Sequence, residues 1–479
     1  MDYRMYIGGE WADGDSGERM EATSPATGES LGSLPEGTRE DAGRAIAAAN
    51  AAWRDWAARS VFDRAEAMER IAAAVAERRD DLARTLTLDQ GKPLKAEAYD
   101  EVDELERYWL MAAADARRLE GAMPPSVDAD KRVLVYRVPK GVVGVITPWN
   151  WPYTMPAEVI APALAAGNAI VWAPAPSTSV SAVRLAECIV AAELPGGVFN
   201  MVTGPGMVVG DEIAASSGTH AIGFVGSIAT GYKVAERAAG KALLLEMGGN
   251  GPVVVLEDAD LDKAVDATLV ASFLCAGQSC TAGERFLVHE AVHDAYLDKL
   301  AAAIAKDVRL GDPFADETTM GPLNNEPVAE KMDRHIGEAV ERGAQLVSGG
   351  ARAEGYPTRL YYEPTVLDRV THEMEVATEE TFGPIVPISA IKSEEEALAL
   401  IDASPYGLLT SVFTQDLRRG LRFAEAARAG WVNVNESSNY WESHLPFGGR
   451  AGSRSGIGRV GGRHPFEVFT ETKTVIVEL

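Results

Sequence analysis

The sequence predicts an α/β fold in two domains wound on mostly parallel sheets, and three observations carry that expectation. Short apolar runs alternate with alanine-rich stretches of helical spacing. Glycine and proline stand at the joints between them. The chain has 479 residues, 46% of them hydrophobic, which is more than one hydrophobic core organises.

The elements follow in chain order. From Glu40 to Arg118, the spacing of Ile46, Ala49 and Trp53, then of Met68, Ile71 and Val75, predicts helices packed on the surface. Strands are expected at 142–146, 169–172, 222–225 and 253–256, with a helix at 183–192 among them. The second half repeats this texture: strands at 285–288 and 411–414, helices at 291–306 and 394–401. Residues 131–137 and 470–478 alternate in strand fashion. Pro148, Pro152 and the runs 204–206, 248–252 and 446–449 punctuate the joints, where loops adopt special backbone geometry.

Charge and cysteine usage narrow the class. Lys plus Arg total 45 against 71 Asp plus Glu, a formal net charge of -26 that repels nucleic-acid phosphates and anionic lipid surfaces. Neither nucleic acid nor a membrane is an expected partner. Three cysteines, Cys188, Cys275 and Cys280, are too few and too odd for a disulfide framework, and they suit a reducing compartment. Residues 1–10 lack a basic start and a long apolar run, and no stretch reaches the ~18 apolar residues that span a bilayer. A cytoplasmic protein without a metal site is the expectation.

Three polar residues sit where chemistry is feasible. Cys280 follows a glycine turn in the segment Cys275 to Arg285, where a thiol can face a cleft and ionise. Cys188, inside a helical run, reads as a small core residue. Glu246 ends an apolar run and enters the turn Gly248 to Pro252, where partial desolvation would raise its pKa and make it a usable base. Asn150 follows the strand ending at Ile146 and has an amide able to donate to an oxyanion. Taken singly, a buried thiol, a solvated strand-end carboxylate and a turn-forming asparagine are the ordinary readings of the three.

Together with their surroundings, these residues resemble the aldehyde dehydrogenase superfamily in order and spacing, over essentially the whole chain. The resemblance rests on Gly8-Gly9-Glu10-Trp11, Pro148-Trp149-Asn150, Phe224-Val225-Gly226-Ser227, Glu246-Met247-Gly248-Gly249, Gly277-Gln278-Ser279-Cys280, the run Glu379 to Pro384, and Pro446-Phe447-Gly448-Gly449. It implies a Rossmann-like cofactor domain at 1–117 and 139–248, an α/β catalytic domain at 249–445, and a small β oligomerisation arm from 118–138 and 462–479. It also implies a homodimer or homotetramer.

The chemistry the resemblance implies is covalent. Cys280 attacks the aldehyde while Asn150 and the Cys280 amide hold the oxyanion, hydride passes to the nicotinamide, and water activated by Glu246 hydrolyses the thioester. Glu246 speaks against a variant that passes the acyl group to coenzyme A. The intact trio speaks against a non-catalytic member. For the cofactor, the resemblance assigns Ile146, Thr147, Pro148 and Trp149 to the channel, Phe224, Gly226 and Ser227 to the pyrophosphate, and Glu380 and Phe382 to the nicotinamide ribose. Gly206 and Met247 also belong to this set. No convincing Gly-x-Gly-x-x-Gly fingerprint is present; Gly204, Gly206 and Gly210 make a near match.

Departures from the family pattern bear on cofactor and substrate. Ala173 stands where a lysine is usual, and Pro176 where an acidic residue often selects the adenosine ribose. The two changes pull in opposite directions. With no basic residue obviously replacing the lysine, NAD is favoured over NADP. Cys275 replaces a usual asparagine, which leaves a disulfide or sulfenamide with Cys280 open beside the plainer reading of a space-filling side chain. Asn250 replaces a common lysine, and the loop from Arg450 to Arg454 is two residues longer than usual. The substrate tunnel is expected to draw on Tyr153, Met155, Glu158, Leu274, Trp441 and Phe447, in keeping with an aromatic aldehyde, a semialdehyde or a sugar-derived aldehyde. Arg450 and Arg454 keep an anionic aldehyde among the possibilities.

Overall fold

The computed structural model describes all 479 residues and contains two large sheets. The first has eight strands in the order Gly456–Ile457, Ala242–Met247, Ala221–Gly226, Val142–Ile146, Ala169–Ala173, Phe199–Met201, Met5–Ile7, Glu10–Ala12. Its five central strands, from Ala242–Met247 to Phe199–Met201, are parallel. The chain enters this block at Val142–Ile146, winds outward through Ala169–Ala173 and Phe199–Met201, then returns to Ala221–Gly226 on the other side. That reversal is the doubly wound order, and it leaves a crevice beyond the carboxyl ends of the strands that flank it. Buried on both faces, these strands are almost wholly apolar, which is why their short hydrophobic runs were legible.

Only Gly248, Gly249 and Asn250 separate Met247 of the first sheet from Gly251 of the second. The second sheet has seven strands, ordered Gln345–Ser348, Thr365–Asp368, Ile385–Ile391, Gly283–His289, Gly251–Val255, Leu409–Phe413, Trp431–Val434. All neighbours are parallel except the edge strand Gln345–Ser348. The expected strands differ from the observed ones by two residues at most at either end, and those expected at 253–256 and 411–414 stop one residue early, at Val255 and Phe413.

The helices between residues 39 and 116 go deeper than the surface packing expected of them. Arg39–Ala58 and Val61–Glu77 start from capping boxes, in which Thr38 pairs with Asp41 and Ser60 with Asp63. Val61–Glu77 and Tyr99–Ala116 then pack against each other and bury Met68, Ile71, Val75, Leu105 and Trp109 completely or nearly so. Their apolar stripes belong to the main core of the first half.

Lys131–Pro139 and Thr470–Glu478 pair antiparallel along their whole length as a separate two-stranded ribbon. The strand Thr470–Glu478 is almost wholly exposed, Ile476 and Val477 included, while Lys131–Pro139 is mostly half-buried. No helix is long and apolar enough to cross a membrane.

Candidate active site

A cavity of about 210 Å³ opens at the crevice of the first sheet and runs between it and the loops entering the second. Cys280, Glu246 and Asn150 all line it. Asn150 comes from the loop after Val142–Ile146, Glu246 from the carboxyl end of Ala242–Met247, and Cys280 from the loop before Gly283–His289.

The Cys280 loop is held in an unusual backbone. Cys275, Ala276 and Gly277 have φ of 53°, 52° and 73°, three successive left-handed residues. A Cβ at Gly277 would lie 2.1 Å from the Gly383 carbonyl oxygen, so only glycine fits there. Beyond the turn, the Asn150 side-chain amide donates to the Gln278 carbonyl at 2.9 Å, and the Gln278 side chain accepts from the Asn324 amide at 2.8 Å. One amide hydrogen of Asn150 is thereby fixed and the other is left for the cavity. Cys275 is a free, buried thiol that meets Gln90 and the Asn150 carbonyl, and burial pushes its pKa up to about 12. Those contacts suit the space-filling reading of this residue.

Glu246 is buried, and neither of its carboxyl oxygens has a hydrogen-bond partner. Room for them depends on Gly448, whose Cβ would stand 2.6 Å from one oxygen. Burial holds the Glu246 pKa well above the carboxylate range, reinforced by Glu158 and opposed by Arg459. Cys280 is pushed up too, by burial and by the carboxyls of Glu246, Glu380 and Glu158. Both shifts disfavour the charged forms of the pair.

Toward the first sheet's crevice, Pro148, Trp149, Gly226, Ser227, Met247, Glu380 and Phe382 line the cavity. Ile146, Thr147, Ala173, Gly206 and Phe224 do not. Ile146 packs beside Gly210, Thr147 accepts from the Trp172 indole at 2.9 Å, Ala173 is buried at its strand end, and Gly206 faces open space. Phe224 is buried with its ring against Gly226 and Gly231. Its size shapes the turn from below and does not reach the cavity.

The Glu380–Phe382 stretch is fixed from behind by Glu284, whose carboxyl accepts the Thr381 and Phe382 amides at 2.8 and 2.7 Å. Burial raises Glu284 to about 7 and Glu380 to about 8. Toward the opposite end, Met155, Glu158, Leu274, Trp441 and Phe447 line the cavity. Tyr153 does not: its ring is fully buried and its hydroxyl donates to the Leu82 carbonyl. Helix Thr154–Ala165 buries every residue, and Tyr153 falls on the side facing the helical core.

Five lining residues were not singled out from the sequence, Trp151, Thr281, Val328, Lys331 and Val460, whereas Asn439 belongs to the loop 439–444 expected at the substrate tunnel. Lys331 had a usable signal. It lies three residues after Val328 on the helix Glu326–Glu341, so the two share a face, and both line the cavity.

The family model described as "Aldehyde dehydrogenase family" matches residues 11–475. The chain belongs to the aldehyde dehydrogenase family. Its members oxidise aldehydes with NAD or NADP. Among curated proteins it is 39% identical to 3-sulfolactaldehyde dehydrogenase of Pseudomonas putida, covering 98% of this chain and 96% of that one. It is 38% identical to the NADP(+) succinate-semialdehyde dehydrogenase of Escherichia coli, covering 99% and 97%. Among solved structures it matches betaine aldehyde dehydrogenase of Staphylococcus aureus in complex with NAD+ at a TM-score of 0.96 and 33% identity, over 99% and 95% of the two chains.

Behind the substrate side of this aldehyde dehydrogenase lies a buried ionic cluster. Lys92 is fully enclosed, pairs with Glu101 at 2.5 Å and sits 3.6 Å from the centre of the Trp151 ring. Burial works against its charge, but Glu101, Cys275 and Glu97 together hold its pKa above the ordinary lysine value. Glu101 also accepts the Tyr153 amide, and Glu97 accepts the Cys275 amide, both at 3.0 Å. One ion pair thus ties the Asn150 loop to the Cys280 loop. Lys92→Met is expected to cost about 3–5 kcal/mol of stability, because it strands a buried carboxylate. Urea denaturation checks this, and Lys92→Met with Glu101→Leu should recover part of the loss.

Proposed function

We propose that this chain oxidises an aldehyde to its carboxylic acid with a nicotinamide dinucleotide, through a thioester on Cys280 that Glu246-activated water hydrolyses. The observation that carries this reading is the unpartnered, buried Glu246 carboxyl in the same cavity as the Cys280 thiol. A buried polar group without a partner is costly, and general-base work gives it a use.

Several features of the cavity suit a dinucleotide. The helix Ile228–Arg237 presents its N-terminus at Ser227, which caps it by accepting from the Thr230 amide. Lys331 and Glu380 supply a cation and a hydrogen-bonding carboxyl beside Phe382. Gly248 keeps the approach to Glu380 clear, since a Cβ there would meet its carboxyl at 2.3 Å. Residues 226–227, 331, 380 and 382 would hold the cofactor, with Pro148, Trp149 and Met247 along its channel. When bound, the nicotinamide supplies the hydride acceptor.

The protein's part begins with loss of the thiol proton to an ionised Glu246. Cys280 Sγ then bonds to the carbonyl carbon, and the oxygen, now an alkoxide, is held by the free Asn150 amide hydrogen and the Cys280 backbone amide. After oxidation the carbon remains on Cys280 as a thioester. Glu246 passes the thiol proton to solvent and takes another from water, the resulting hydroxide adds to the thioester carbon, and the C–S bond breaks to release the acid while the proton on Glu246 returns to the sulfur. A base so placed favours hydrolysis over transfer to coenzyme A.

NAD is the better fit. Ala173 is neutral, Pro176 is exposed, and the nearby Arg39 and Arg237 are both paired with Asp211. Neither arginine is free for a 2′-phosphate. Residues 1–117 with 139–248 form the cofactor unit in this reading, and 249–445 the catalytic one. The ribbon of 131–139 and 470–478 would join subunits in a dimer or tetramer, since an isolated pair of strands is only marginally stable.

The test is reduced-cofactor absorbance with a panel of aldehydes, NAD and NADP in parallel, with and without coenzyme A. Oxidation with NAD, unaffected by coenzyme A, is expected. Coenzyme A dependence, or no oxidation of any aldehyde, would overturn the proposal.

A further inference from the structure

The substrate end of the cavity is walled by Trp151, Met155, Leu274, Trp441, Phe447 and Glu158. Not one of these is a cation. The only basic residue lining the cavity is Lys331, and it lies at the other end, where its charge acts on Glu380 and Glu284. Arg450, which the sequence left available for an anionic substrate, packs against Gly407 and donates to the Ala451 carbonyl. Arg454 is exposed outside the cavity. Arg459 is near Glu246, but its guanidinium donates to the Gly449 and Gly458 carbonyls and does not line the cavity.

Glu158 itself has no basic partner. It is buried, and its one hydrogen bond comes from the Tyr108 hydroxyl at 3.3 Å. The carboxyls nearest to it are Glu104, on the helix Tyr99–Ala116, and Glu246, at the strand end opposite. An anionic group carried into this end would lose its water, meet carboxyls on three elements and find no counter-charge. An uncharged group meets aromatic and aliphatic walls, and a carboxyl able to accept or donate a hydrogen bond.

We infer that the pocket excludes aldehydes that carry an acidic group, and that Glu158 is the specificity-determining residue that turns these anionic aldehydes away. This rests on the dehydrogenase reading above. It separates this chain from the two similar enzymes named for a sulfonated aldehyde and a carboxylated one.

A matched pair tests it: succinate semialdehyde, an anion, against its neutral methyl ester, methyl 4-oxobutanoate. In the native protein kcat/KM for the ester is expected to exceed that for the acid by at least about a hundredfold. Glu158→Arg should bring the two within about tenfold, chiefly by raising the acid's kcat/KM, and Glu158→Gln should fall between. Equal rates for acid and ester in the native protein, or an unchanged ratio in both variants, would overturn the inference. Should no aldehyde be oxidised, the dehydrogenase reading fails on its own. The inference is then read from Kd values by tryptophan fluorescence in Cys280→Ala, where weaker binding of the acid than of the ester supports it and equal or tighter binding refutes it.

Discussion

Cys280→Ala is expected to lose aldehyde-dependent cofactor reduction by roughly four orders of magnitude or more while keeping its fold. The cavity has no substitute nucleophile, because Cys188 and Cys275 are buried elsewhere and Cys275 is occupied by Gln90 and the Asn150 carbonyl. Removing one sulfur from a half-exposed loop position opens no large void, so the denaturation midpoint should stay close to the native value. Turnover is read by absorbance and stability by urea titration of the same preparation. A variant that retains a tenth of native activity would remove Cys280 from the role given to it. So would one that is inactive only because it unfolds.

Glu246→Gln carries the second large expectation. The amide keeps the shape of the carboxyl but cannot take a proton, and general-base contributions of this kind are about 10²–10⁴-fold. The first half-reaction should be slowed less than the second. Mixed rapidly with aldehyde and cofactor, the variant is expected to release up to one equivalent of reduced cofactor and then nearly stop. Mass spectrometry of the quenched protein should show the acyl group on Cys280. The sign of the pH dependence follows from the raised pKa. Burial raises the Glu246 pKa, the group acts as a base only after losing its proton, and native turnover therefore rises as pH climbs through that raised pKa. Glu246→Gln should flatten that limb. A variant that turns over steadily without acyl accumulation would overturn the hydrolytic role.

Most of the fold was legible because its strands are buried on both faces, so runs such as Val142 to Ile146 stand out as unbroken apolar segments bounded by glycine and proline. The chemistry-bearing loops were legible through motif resemblance, and the cavity brings Asn150, Glu246 and Cys280 together. What escaped was set by orientation. Tyr153 and Met155 are near neighbours in the chain, yet only Met155 faces the cavity, because helix Thr154–Ala165 is buried all round and offers no amphipathic stripe to read. Phe224 lies on a buried strand whose alternation is equally silent about which side faces a ligand. Lys331, on a strongly amphipathic helix far along the chain, was readable in face but not in destination. The Lys92–Glu101 pair was hidden for another reason: each charge looks like an ordinary surface residue until the partner is known.

The left-handed run through Cys275, Ala276 and Gly277 is disfavoured by about 1–2 kcal/mol for each non-glycine residue, so nothing local sustains it. It is held by Glu97 and Gln90 from the early helices and by the close fit of Gly277 under Gly383, far later in the chain. A nascent chain emerging from the ribosome, or one caught half-folded, lacks at least one of these supports and lets the segment relax to common backbone angles. Its thiol then lies on a plain tether, away from oxyanion donor and base alike. Nucleophile, oxyanion donor and base thus come into register only once the last of the distant supports has arrived, and the competence of this loop is a property of the finished fold.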